Sequence, residues 1–69
     1  MEEKKERFLK LDDVIIRTSL RRSTIYALMK ENKFPKNLSI SAKSVVWIES
    51  EIDKWIDEII NKRINEEVK

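Results

Sequence analysis

Between Thr18 and Lys36 the chain reads TSLRRSTIYALMKENKFPK, a stretch that must form a helix with two faces of opposite character. Ile25, Leu28 and Met29 recur at i, i+3 and i+4 and require a core on one side. Arg21, Arg22, Ser23 and Thr24 crowd the amino-terminal end with cations and short hydroxyls, the equipment of a helix that enters a DNA groove. Both ends are bounded. Thr18, Ser19 and Leu20 make a turn out of a preceding helix. After Glu31, Asn32 tolerates the left-handed conformation and Pro35 pushes Phe34 into an extended one, so the chain must leave the helix. The expected span is Arg21 to Glu31, the second helix of a helix-turn-helix.

The flanking segments complete a small α+β, mostly helical fold. Leu11, Val14 and Ile15 follow helical spacing, and Asp12 and Asp13 suit the positive end of the dipole, which predicts a first helix of about two turns. Ile16 falls off that apolar face and is a candidate for contact with a partner. Leu38 to Ile40 and Val45 to Ile48 are short apolar arms separated by Ser41-Ala42-Lys43-Ser44, the pattern of a β-hairpin. The chain has no Gly, which excludes an Asn-Gly turn, so residues 41–44 are expected to form a four-residue loop. Ile48, Ile52, Trp55, Ile56, Ile59, Ile60 and Ile64 then mark a long amphipathic helix, with Glu49, Ser50 and Glu51 at its start. Its first half must cover the core with Trp55. The stripe past Ile60 outruns what a two-turn helix and a hairpin can cover, and it either frays or packs on a second copy. The expected architecture is a winged helix-turn-helix over residues 8–69, preceded by a flexible arm over residues 1–7.

Composition narrows the function. A single domain of 69 residues has a thin core and little room for an enzyme pocket. There is no Cys and no His, so disulfides, thiolate chemistry, zinc fingers and the usual general base are excluded. No catalytic residues, metal ligands or cofactor are expected. The carboxylates Glu49, Glu51, Asp53, Asp57 and Glu58 read as the solvated face of the last helix. No apolar run approaches the roughly 20 residues that span a bilayer, and the acidic start is unlike a secretory signal, so a soluble cytoplasmic protein without a membrane partner is expected. The net charge of +2 conceals a segregation: residues 1–13 carry −1, residues 14–46 carry +6 and residues 47–69 carry −3. A basic middle between acidic ends is the footprint of a module with one polyanion-binding face.

Within that middle, each candidate has a functional and a plain reading. Arg21 and Arg22 reach a guanine edge or clamp a phosphate, or else keep a surface soluble. Ser23 and Thr24 donate to phosphates or support the first helical turn. The Tyr26 ring packs while its hydroxyl reaches the DNA backbone, or belongs wholly to the core. Lys30 and Lys33 are phosphate contacts or ordinary cations at a helix carboxyl end. Lys36 and Lys43 bracket the hairpin as wing contacts to phosphate or the minor groove, or are simply solvated, with Ser41 and Ser44 in the wing loop between the arms. Trp47 and Trp55 are assigned to the core.

The order L-x-x-V, T-x-L-x-R-S-T-I-Y-x-L-M-K, F-P-K and V-x-W-x-E-S-E-I-D-x-W-I resembles the AlpA-like prophage regulators, small relatives of the MerR-type winged helix-turn-helix and of phage excisionases. The resemblance covers about residues 8–60. It implies sequence-specific binding of double-stranded DNA by a bacterial or phage-encoded, nucleoid-associated protein. Arg22, Ser23, Thr24 and Tyr26 would lie in the recognition helix and the 41–44 loop in the wing. The implied role is control of integrase-type genes or architectural help in excision, with an integrase-type recombinase or RNA polymerase as protein partner. Four departures stand out: Ser19 where the family usually has Gly, Arg21 where a Ser usually caps, Ala27 where a long basic or polar residue is common, and a wing without its frequent Gly. The competing reading is a protein-interaction module that binds a recombinase or regulator through Ile16 and the C-terminal helix. Homodimerisation would favour an inverted repeat, and cooperative side-by-side binding would favour direct repeats.

Overall fold

A computed structural model describes residues 6–68. The element order is β1 (Phe8–Leu9), α1 (Leu11–Thr18), α2 (Arg22–Lys30), β2 (Leu38–Ser41), β3 (Ser44–Ile48) and α3 (Glu49–Val68). This is a small winged helix-turn-helix of three helices and a three-stranded antiparallel sheet in the order β1-β3-β2. Of the expected arm, residues 1–5 lie outside the described residues. Glu6 and Arg7 are tied to the start of α3: Ser50 Oγ donates to Glu6 Oε1 at 2.8 Å and Glu49 N donates to Arg7 O at 2.9 Å.

Strand β1 was not foreseen. Two residues are too few to show alternation, yet Phe8 pairs with Ile48 and Leu9 with Trp47. The pairing buries Leu9 and covers an edge of β3 that would otherwise stay open. The hairpin is also tighter than the expected four-residue loop, because Ser41 pairs with Ser44 and only Ala42 and Lys43 remain in the turn. Neither has a positive φ, so the turn is not of the primed kind that matches strand twist. A register shift between Ser39 and Ser41, where Ile40 is the extra residue, accommodates the mismatch as a β-bulge.

The core cluster is Leu9, Val14, Ile25, Phe34, Trp47 and Ile52, one residue each from β1, α1, α2, the segment before β2, β3 and α3. β3 passes into α3 without an intervening residue, so Trp47 and Ile52 enter the core from one continuous segment. Both indoles are anchored as well as packed. Trp47 Nε1 donates to Pro35 O at 3.1 Å and Trp55 Nε1 to Lys33 O at 2.8 Å. The segment between α2 and β2 is therefore pinned to β3 and α3 at two carbonyls two residues apart. Phe34, between those anchors, meets the Trp55 ring edge-on with centroids 4.8 Å apart.

Candidate nucleic-acid interface

The turn between α1 and α2 sets the angle of the second helix, and it is built without glycine. Ser19 takes the left-handed conformation (φ 63°, ψ 20°) and its N–H closes α1 on Ile15 O at 2.8 Å. Thr18 Oγ1 donates to Val14 O at 2.8 Å and accepts from Leu20 N at 3.2 Å, so one hydroxyl bridges the last turn of α1 to the entry of α2. Leu20 packs on the core cluster, as a plug between the helices should. At its far end α2 closes in a Schellman arrangement: Lys33 N donates to Leu28 O at 2.8 Å and Asn32 N to Met29 O at 3.0 Å, with Asn32 at φ 62°.

The amino end of α2 is left open. Arg21 occupies the N-cap in an extended conformation and supplies no side-chain cap. Its carbonyl accepts from Ile25 N at 3.0 Å, but the N–H groups of Arg22, Ser23 and Thr24 have no acceptor among the described residues. No acid lies in the first turn of α2, whereas α1 has Asp12 and Asp13 there. Arg21, Arg22, Ser23 and Thr24 are all exposed. Ser23, Tyr26, Ala27 and Lys30, spaced i, i+3, i+4 and i+7, form the exposed stripe opposite buried Ile25. Tyr26 divides its two ends. Its ring stands edge-on to Trp47 at 6.2 Å while the residue keeps 37% of its surface exposed.

The cations of the basic middle are not equivalent. Arg17 is clamped on α3, with Nη1 2.9 Å from Asp53 Oδ1 and Nη2 on Glu49 Oε2. The Glu49 hydrogen bond raises its pKa above the ordinary arginine value, against an opposing desolvation. The guanidinium is held in its charged form, and the clamp spends it on joining α1 to α3. Lys33 lies 3.6 Å from Glu31. The other five, Arg21, Arg22, Lys30, Lys36 and Lys43, are exposed and form no ion pair among the described residues. Lys36 precedes β2 and Lys43 occupies the hairpin turn, so they stand at the two ends of that strand. Ser41 is exposed but engages its own turn, its Oγ accepting weakly from Lys43 N at 3.4 Å, and Ser44 is half-buried.

The chain matches the family model described as Prophage CP4-57 regulatory protein (AlpA) over residues 7–61. It is 41% identical over 51 residues to an uncharacterized protein, ORF88, of Enterobacteria phage P4, an alignment covering 74% of this chain and 58% of the phage protein. It is 40% identical over 58 residues to the DNA-binding transcriptional activator AlpA of Escherichia coli K12, covering 75% of this chain and 83% of that one. The aligned region thus spans little more than half of the phage P4 relative. No solved structure matches the chain.

Proposed function

Because the chain belongs to the AlpA family of prophage regulatory proteins, we propose that it is a DNA-binding transcriptional regulator of prophage type. In this reading α2 enters the major groove and the β2–β3 hairpin rests on the adjacent backbone. The observation that carries it is the state of the α2 amino end, which has no cap, two unpaired arginines and three N–H groups without acceptors. Alone, that end is unfavourable: the missing cap costs about 1 kcal/mol, and each cation at the positive dipole end about 0.3–1 kcal/mol. A phosphate placed there accepts from the N–H groups and meets both guanidinium groups, so the same features become affinity.

Roles follow from position. Arg22 flanks the outward stripe and is suited to a guanine edge or a phosphate. Ser23, Thr24 and Tyr26 offer hydroxyls that have no partner within the described residues, and Lys30 extends the contact one turn further. Ala27 presents only a methyl group at the centre of the stripe, fit for a thymine methyl but for no base hydrogen bond. Recognition therefore leans on the backbone, through Arg21, Lys36, Lys43 and the Ser41 and Ser44 hydroxyls of the hairpin. The biological output is control of integrase-type genes as a regulator or as an excisionase-like architectural factor, with a recombinase or RNA polymerase engaged alongside.

A second reading rests on Ile16, which is 76% exposed: a protein-interaction module that binds through Ile16 and α3. One double variant separates the two. Arg22→Glu with Lys43→Glu should abolish binding to duplex DNA from the gene's own neighbourhood while leaving fold and any α3-bound protein partner intact. Retention of full duplex affinity in that variant rejects the assigned face.

A further inference from the structure

We propose that a second copy of this chain docks in the groove between α3 and the segment following α2, the two α3 helices pairing antiparallel about a twofold axis. The groove is lined by Leu28, Phe34 and Pro35 together with polar Asn32 and Lys33 on one side and by Trp55 and Ile59 of α3 on the other. Ile59 keeps 49% of its surface exposed. The α3 rim of the same groove carries Glu51, Lys54, Glu58 and Lys62, alternating in sign. Lys54 and Glu58 stand four apart, as do Glu58 and Lys62, a spacing that permits pairing along one helix. None of the four is in an ion pair among the described residues.

Read backwards, this order of charges is its own complement. A twofold axis perpendicular to two antiparallel helices keeps each flank of one against the same flank of the other. With the crossing near Ile56 and Asp57, Glu51 faces the second copy's Lys62, Lys54 faces its Glu58 and Trp55 meets its Ile59; the twofold then repeats all three. The opposite side of α3 lacks this property. There Ile60 and Ile64 lie on the side of Asp53 and Asp57, two acids with no alternating cation, and Asp53 is already held by Arg17. From Glu51 to Lys62 the contact runs only about 16 Å along the helix. It falls short of the roughly 1,200 Å² of a durable interface, so the pairing is weak and concentration-dependent.

Sedimentation of the full chain without DNA, from about 10 μM to about 1 mM, tests the pairing. The expected result is reversible dimerisation that Lys62→Glu weakens about tenfold or more and that adding Glu51→Lys restores. The chain has no native Cys, so oxidising a mixture of Lys54→Cys and Glu58→Cys chains should give a mixed disulfide, whereas Asp57→Cys should not couple. A monomer at every concentration overturns the proposal. So does a dimer indifferent to Lys62→Glu, or unrescued by Glu51→Lys, or lost instead through Ile60→Ser with Ile64→Ser. Because no DNA is present, failure here leaves the DNA-binding reading standing, and failure to bind DNA leaves the pairing standing.

Discussion

Two residues sit where stability alone would choose otherwise. Arg21 holds an N-cap that Ser, Asp or Asn would fill with a hydrogen bond. Arg21→Ser is therefore expected to stabilise the fold by about 1 kcal/mol, which raises the melting temperature of a domain this size by about 4–8 °C. The same change should weaken duplex binding and shorten the salt dependence by about one phosphate contact. A variant neutral in both measurements removes Arg21 from the interface. Ser19 makes the complementary case, since a β-carbon at φ 63° is strained where glycine is not. Ser19→Gly should stabilise by about 0.5–1 kcal/mol in thermal or denaturant unfolding without changing DNA affinity. A fall in stability would mean that the serine serves the turn beyond its backbone. Both departures could be seen in the sequence as residues out of pattern. The lost cap at Arg21 was legible there, whereas the open N–H groups and the left-handed φ of Ser19 were not, because they are properties of the backbone.

At the scale of elements, the long periodic segments were legible and the short ones were not. α1 begins at Leu11 as its spacing requires, and α3 begins at Glu49, because each carries an unbroken apolar stripe and first-turn acids. β1 escaped because its evidence is a partner strand 40 residues away rather than a local pattern. The hairpin turn is tighter than the absence of Gly suggests, because a bulge at Ile40 takes up the mismatch that a glycine turn would otherwise relieve. Trp47 and Trp55 were foreseen as core anchors, but not their hydrogen bonds to Pro35 and Lys33. Those bonds connect the carboxyl end of α2 to the wing strand and to α3, and so fix one half of the proposed DNA face relative to the other. Trp55→Phe keeps an aromatic ring against Phe34 but removes the N–H together with part of the indole's volume. It should cost about 1–3 kcal/mol of stability for the Lys33 carbonyl left short of a donor, in addition to the packing of the lost ring. The loss in duplex affinity should exceed what the unfolded fraction explains; an affinity loss equal to that fraction assigns the bond to stability alone.

Across the whole molecule, the charge asymmetry read from the sequence survives in a sharper form. Seven cations lie in the basic middle. Arg17 and Lys33 are taken up by acids of the chain itself, and Arg21, Arg22, Lys30, Lys36 and Lys43 are left without ion pairs among the described residues. No sequence count could divide them, since the Arg17 clamp depends on α1 lying against the first turns of α3. The five that remain are the ones placed on α2, at the start of β2 and at the hairpin turn. This division gives DNA binding a quantitative expectation. Binding of the intact chain to a duplex from the gene's own neighbourhood, followed across salt concentration, should give log affinity against log salt with a slope between about −3 and −4.5, for three to five phosphates neutralised. A slope near zero, or no binding to any duplex at low salt, would contradict it.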